Sequence, residues 1–253
     1  MMKILKYEDE KYEVLVQNNV FIKDKKSGEY YKNSLNSLSD EQLLRFKMYK
    51  EKVSPKFFYL FLSFTALMFI LNYIHLIKLQ NGLSSVFYGW KMWIIIVIYF
   101  IMNIVLHELG HIYSLKFFGK NFDKVGFKLN FYVFPAFYVQ LNETYMLSRN
   151  EKIIVHLFGL FINYLLINTL ELINQFTFSS EALTMAFMLF SSTLLWNLIP
   201  ILNSDGYKIL LAFLSLDEYS RFKTNHWLVL TIQIIGIGLA VNSVVHWILY
   251  IVN

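Results

Sequence analysis

The chain has no cysteine. That excludes disulfides and thiolate metal ligands, so any bound metal must be held by His, Asp or Glu. Charge is scarce as well: Asp, Glu, Lys and Arg together make up 16% of 253 residues, against roughly 25% in an ordinary soluble domain. Proline occurs only three times, so little interrupts the long apolar stretches. No cleavable signal peptide is read, because the first apolar run starts near Phe57 and is too long for one.

What is abundant is apolar and aromatic, at 56% and 18% of residues. About 20 residues cross the hydrocarbon core of a bilayer. Five runs reach that length, at roughly 57–78, 92–116, 153–174, 182–203 and 227–252. The expected fold class is therefore an all-α polytopic membrane protein with about five transmembrane helices. Residues 1–56 are a polar segment expected in the cytoplasm, a small α+β unit ahead of a membrane domain over 57–253. In that segment "YEVLVQNNVFIKDKKSGEYYK" holds two strand-like pieces, and "SLSDEQLLRFKMYKEK" reads as a short amphipathic helix with Ser39 as its N-cap.

The net charge is +5. In a membrane protein it reads as a topology signal rather than a nucleic-acid signal, and no nucleic-acid partner is expected. Lys and Arg crowd the N-terminal segment, the 116–152 connection and the 208–223 region, while "NQFTFSSE" and the C-terminal "IVN" have none. Basic loops stay on the cytoplasmic side. The N-terminus is then inside and the C-terminus outside, which five crossings also require. Ile, Lys, Asn, Phe and Tyr dominate as in AT-rich bacterial genomes, so a bacterial plasma membrane is the expected location.

The connection 121–148 is not a plain linker. Val125, Phe127, Leu129, Phe131 and Val133 alternate with other residues at a period of two, the mark of a strand. Pro135 interrupts, and "AFYVQL" resumes the extended character. One or two strands are expected at the cytoplasmic membrane surface, a hairpin following the second apolar run.

The second run carries His107, Glu108 and His111 in the pattern HExxH. On a helix, i and i+4 share a face, so both imidazoles can grip one Zn²⁺ at about 2.0–2.1 Å. Glu108 projects beside them and reaches a water rather than the metal. Gly110 leaves room for another segment to come close. Each ionisable group deep in a span costs roughly 2.5–3.5 kcal/mol on insertion scales, which a bound ion would offset. A catalytic zinc needs a third protein ligand and an open position. Asp205, in "NLIPILNSDG" at the end of the fourth run, lies on the same side as HExxH by the topology count and is favoured because it ends an apolar span, with Gly206 allowing a tight turn behind it. Glu143, in the cytoplasmic connection, is the rival.

Taken together, "HELGH" and "NLIPILNSDG" resemble the site-2 protease family of intramembrane zinc metalloproteases. Asn197, Pro200, Asp205 and Gly206 match that family's NxxPxxxLDG element, and Gly159 and Asn163 match its GPxxN element. Ser204 stands where the family usually has Leu, and Leu160 where it usually has Pro. The resemblance covers about residues 90–215. It implies a three-helix core with one zinc held by His107, His111 and Asp205, and Glu108 as general base. It also implies an extended peptide substrate pairing with the strand that holds Phe127, Leu129 and Phe131. Asn163 or Asn197 would help stabilise the oxyanion or contact substrate. The length leaves no room for the PDZ or CBS domains of some branches and suits the branch associated with bacteriocin or pheromone maturation. Membrane-embedded peptide, the bilayer and an accessory membrane protein are the partners that follow. The readings beside it are a peptide-binding or immunity module that keeps the fold without cleavage, and a membrane zinc protease of another class with Glu143 as third ligand.

Overall fold

A computed structural model describes residues 4–80, 89–130, 134–200, 204–216 and 225–252. The polar N-terminal segment forms a five-stranded antiparallel sheet. Strands β1 (Leu5–Glu8), β2 (Tyr12–Val16), β3 (Val20–Asp24) and β4 (Tyr30–Asn33) follow one another as a meander. A single helical turn, α1 (Asp40–Leu43), precedes the two-residue strand β5 (Lys47–Met48), which pairs with β1 and gives the order β4-β3-β2-β1-β5. The sheet is larger than the two strand-like pieces read from the sequence. The expected amphipathic helix is cut to one turn, because the chain must turn back to pair beside β1. Ser39 does cap that turn: its hydroxyl accepts from Gln42 N–H at 3.3 Å, and Gln42 Oε1 accepts from Ser39 N–H at 3.0 Å.

The remainder is mainly helical. Helix α2 (Pro55–Gln80) and helix α3 (Trp90–Phe117) come first. A hairpin of β6 (Lys124–Asn130) and β7 (Phe134–Gln140) follows, then α4 (Arg149–Ile173), continued by one π turn over Asn174–Phe178. Then come α5 (Glu181–Leu198), the short α6 (Asp205–Leu214) and α7 (Trp227–Val252). Among the described residues, three helices are long and apolar enough to cross a membrane: Pro55–Leu79, Trp90–Phe117 and Arg149–Phe178. In lipid every backbone N–H and C=O must be satisfied within its own segment, which such helices achieve.

Helix α4 is the hub, packed against α2, α3, α5 and α6. It and α3 approach closely where two glycines meet. A Cβ on Gly110 would stand 3.2 Å from the Cα of Gly159. Small residues at such crossings let van der Waals packing hold helices together where lipid removes any hydrophobic advantage. Polar contacts add to it: the Asn72 amide donates to Ser191 Oγ at 3.0 Å and to Asn168 Oδ1 at 3.2 Å, tying α2 to α5 and α4.

The sheet is fastened to one end of the bundle by ion pairs. Lys120, just after α3, reaches Glu13 on β2 at 2.5 Å, both groups buried. Lys23 on β3 pairs with Glu143, whose other oxygen accepts Asn121 N–H at 3.1 Å. Ser148 and Glu151 form a reciprocal capping box at the start of α4. The same Glu151 carboxylate accepts Tyr49 O–H at 2.6 Å and Lys52 N–H at 2.9 Å, so one buried acid joins the end of the sheet to the bundle.

Candidate metal centre

Helix α3 presents His107 and His111 one turn apart on the face that meets α4. Their rings stand perpendicular with centroids 4.7 Å apart, and their Nε2 atoms are 3.1 Å apart. Asp205, the first residue of α6, comes from 98 positions further along the chain. Its Oδ2 lies 2.8 Å from His107 Nε2 and its Oδ1 3.4 Å from His111 Nε2. The three side chains are buried, and one ligand atom from each falls within 4.8 Å of the others. Among the described residues, this is the one group of His, Asp and Glu that converges in this way.

Each member is held from behind. His111 Nδ1 lies 2.8 Å from the Val155 carbonyl on α4, so Nδ1–H donates there and the Nε2 lone pair faces the cluster. His107 Nδ1 lies 3.1 Å from the side-chain amide of Asn163, and Asn163 Oδ1 is buried without a partner. A half-turn of that amide lets Oδ1 accept His107 Nδ1–H. Both imidazoles then direct an Nε2 lone pair to the same point, the arrangement that metal-binding histidines show. Asp205 is clamped by Asn197 on α5: Asn197 Nδ2 donates to Asp205 Oδ2 at 2.9 Å, and Asp205 N–H donates back to Asn197 Oδ1 at 3.1 Å. Ser204 caps α6, its hydroxyl accepting Tyr207 N–H at 3.0 Å and donating to the Ile199 carbonyl at 2.8 Å. An anion at a helix N-terminus is further favoured by the helix dipole.

Two glycines make this arrangement fit. A Cβ on Gly159 would stand 2.6 Å from His111 Nε2 and 2.9 Å from His107 Cε1, inside van der Waals contact. A Cβ on Gly206 would fall 1.9 Å from the Leu198 carbonyl oxygen. Gly206 packs against the end of α5, where no side chain fits.

The donor set is two neutral imidazole nitrogens and one carboxylate, gathered in a buried site with second partners in place. That set fits zinc and related divalent ions. Glu108, next on α3, is half-buried, and no described residue hydrogen-bonds its carboxylate. Asn163 and Asn197 stand behind ligands. Phe127 and Leu129 lie on β6, where Phe127 faces Phe137 across the hairpin with ring centroids 5.4 Å apart. It is β7, not β6, that packs along α3. Phe131 lies outside the described residues. Glu143 is committed to Lys23 and Asn121 and does not join the His–His–Asp group.

Sequence reasoning did not single out Val155, whose role is carried by its backbone and leaves no mark in the side-chain pattern. Nor did it find the capping role of Ser204, although Ser directly before a helical Asp is a legible N-cap signal. Lys208 was missed as well. It sits one turn past Asp205 on α6, with Nζ 3.9 Å from Asp205 Oδ1. No family model matches the chain, and no solved structure matches it.

Proposed function

We propose that this protein is an intramembrane zinc metallopeptidase of the site-2 protease type, hydrolysing peptide bonds of membrane-embedded or membrane-associated peptides. The observation that carries this reading is the meeting of Asp205 with His107 and His111 in a buried cluster, with Glu108 on the same helix. His107, His111 and Asp205 would hold the ion. When bound, such an ion lowers the pKa of water toward about 7 and polarises a carbonyl. Glu108 takes the proton of the attacking water and hands it to the leaving amine. Asn163 and Asn197 fix ring tautomer and carboxylate orientation from behind, and the β6–β7 hairpin offers an edge to an extended substrate.

A plain binding module has no need of a glutamate beside two metal-directed imidazoles, so the non-cleaving reading is the weaker one. In the membrane we propose five crossings, α5 with the residues after it and α7 adding to the three long apolar helices. The N-terminus would lie in the cytoplasm, the C-terminus outside, and the metal end toward the cytoplasm of a bacterial cell.

The test is metal content by mass spectrometry on detergent-purified protein, with hydrolysis of membrane peptides assayed alongside. The wild type is expected to hold about one zinc per chain. Asp205→Ala should lose it, Glu143→Ala should keep it, and Glu108→Gln should keep zinc but lose hydrolysis. Zinc lost from Glu143→Ala but not from Asp205→Ala would overturn the ligand set. Zinc bound with no hydrolysis in any membrane peptide library would favour the binding module.

A further inference from the structure

Beside the metal ligands opens a cavity of about 340 Å³. One wall is the end of β7 from Tyr138 into Leu141, the floor is the first turns of α4, and the far wall is α6. The floor carries Lys152 and His156, four residues apart and so on one face. Further up the same face, Gly159 lies under the imidazoles of His107 and His111, and Asn163 meets His107. The far wall carries Lys208, one turn past Asp205. The metal ligands come from α3 and α6, and α4 runs under both them and the cavity, so along α4 and α6 the two are offset by about one helical turn, about 5.4 Å.

Two features show that the cavity is built for a ligand. His156 is 6% exposed, its ring packs edge-on against His111 at 6.5 Å, and its Nδ1 has no hydrogen-bond partner. Buried polar atoms are nearly always satisfied, and this one belongs to a ring that lines the cavity. The second feature is charge. Among the described residues, the lining includes Lys152 and Lys208 and no carboxylate. Lys208 Nζ, at 3.9 Å from Asp205, is at the outer limit of an ion pair, and its side chain lines the cavity. Lys152 lies over the rings of Phe21 and Tyr145 at 5.5 and 5.3 Å. Val139, Leu211 and Ala212 add apolar lining beside Gln140, Asn142 and Thr144, and β7 is paired on one edge only.

We propose that this cavity is a substrate subsite for a carboxylate, the C-terminal carboxylate or an acidic side chain of the peptide, held by Lys208 beside the imidazole of His156. An extended chain advances about 3.3 Å per residue. The offset of one helical turn therefore sets the carboxylate one or two residues from the bond at the metal. The substrate class is thus a peptide that is apolar near the cleavage site and acidic just beyond it. This rests on the peptidase reading above.

The test uses full-length protein in nanodiscs of neutral lipid, stripped of metal by chelation so that no hydrolysis occurs. An N-terminally fluorescent apolar hexapeptide is titrated as its free acid, as its C-terminal amide, and as an amide bearing one Glu; binding is read by anisotropy at fixed ionic strength. The free acid or the Glu peptide is expected to bind about tenfold more tightly than the plain amide, as one charge-assisted hydrogen bond provides. Lys208→Gln should remove that preference while leaving affinity for the plain amide unchanged. Tight binding by the free acid alone assigns the chain terminus, and tight binding by the Glu peptide assigns a side chain. Equal affinity for all three peptides overturns the proposal, as does a preference that survives both Lys208→Gln and Lys152→Gln. If acid and amide bind alike but anionic phospholipid in the nanodisc displaces both, the cavity belongs to a lipid headgroup and the proposal fails. Because binding is read without metal, absence of zinc or of hydrolysis would sink the peptidase reading without touching this measurement.

Discussion

Three side chains could hold a metal ion, but four neighbours decide whether they are placed to do so. Asn163 and Asn197 act from behind His107 and Asp205. Removing such outer partners usually costs 10–100-fold in metal affinity. Asn163→Ala and Asn197→Ala are each expected to weaken zinc binding by about that factor, read by competition with a chelating dye. Unchanged affinity in both would mean that the ligands orient themselves. Gly159→Ala tests the space rather than the bonds. Its new methyl would stand 2.6 Å from His111 Nε2, so the helix should persist by circular dichroism while zinc affinity falls at least tenfold. Gly206→Ala should do more harm, because the clash at 1.9 Å is with the Leu198 backbone. Overpacking costs about 1–3 kcal/mol or more, so a lowered thermal midpoint should accompany loss of metal.

Helix α4 sets the spacing of everything around it, and its first turn is where the sheet, the hairpin and the bundle meet. Ser148→Ala removes one half of the capping box and is expected to cost about 1 kcal/mol, the usual value for a lost N-cap. Glu151→Ala should cost more in the same thermal melt, since that carboxylate also holds Tyr49 O–H and Lys52 N–H. Burial, and next the bond to Glu151, push the Tyr49 phenol above its ordinary range, so it stays a donor at all working pH. At the far end of α4, the buried Glu171 is met by Asn174, Gln175 and Thr184. These partners are neutral and knit α4, the π turn and α5 together. Nothing there converges as the three ligands do.

The sheet and the bundle are joined by ion pairs as well as by the packing of Leu15 and Phe21 on Met146, and the ion pairs give the whole molecule a pH dependence. Burial alone would raise the Glu13 carboxyl, but its bonds to Lys120 and Lys6 hold it below the ordinary value. Glu8, its cross-strand neighbour, is lowered to about 2 by Lys25 and Lys6. A carboxylate whose folded pKa lies below its unfolded value of about 4.3 binds fewer protons when folded. Its contribution is therefore complete above that pH and fades as pH falls through the folded pKa. Protection from hydrogen exchange over β1–β3, relative to the intrinsic rate, is expected to fall as pH drops below about 4.3, and Glu13→Gln should flatten that change. Glu8 is substantially exposed, so its share is screened and small. The lack of cysteine simplifies a test of orientation. Single cysteines at Ser27 and Thr177 are expected to label oppositely in intact cells: Thr177→Cys from outside, Ser27→Cys only after permeabilisation. The reverse pattern would invert the proposed topology.

The order of the apolar runs, the helical spacing of His107 and His111, the alternation that makes the β6–β7 hairpin and the cap at Ser39 are local properties, and the sequence alone determined them. Periodicity and side-chain chemistry act within a few residues, so they can be read without knowing the fold. The extent of the N-terminal sheet was not legible, because β4 and β5 are short and exist through pairing partners rather than through their own pattern. The choice between Asp205 and Glu143 was also tertiary. Both are acids in polar connections on the same expected side, and only packing shows that Glu143 goes to Lys23 while Asp205 reaches the imidazoles. The same holds for Val155, Gly159 and the cavity beside His156. Each depends on how closely α4 lies against α3 and α6, a distance set by the shapes of several helices at once and written in no one of them.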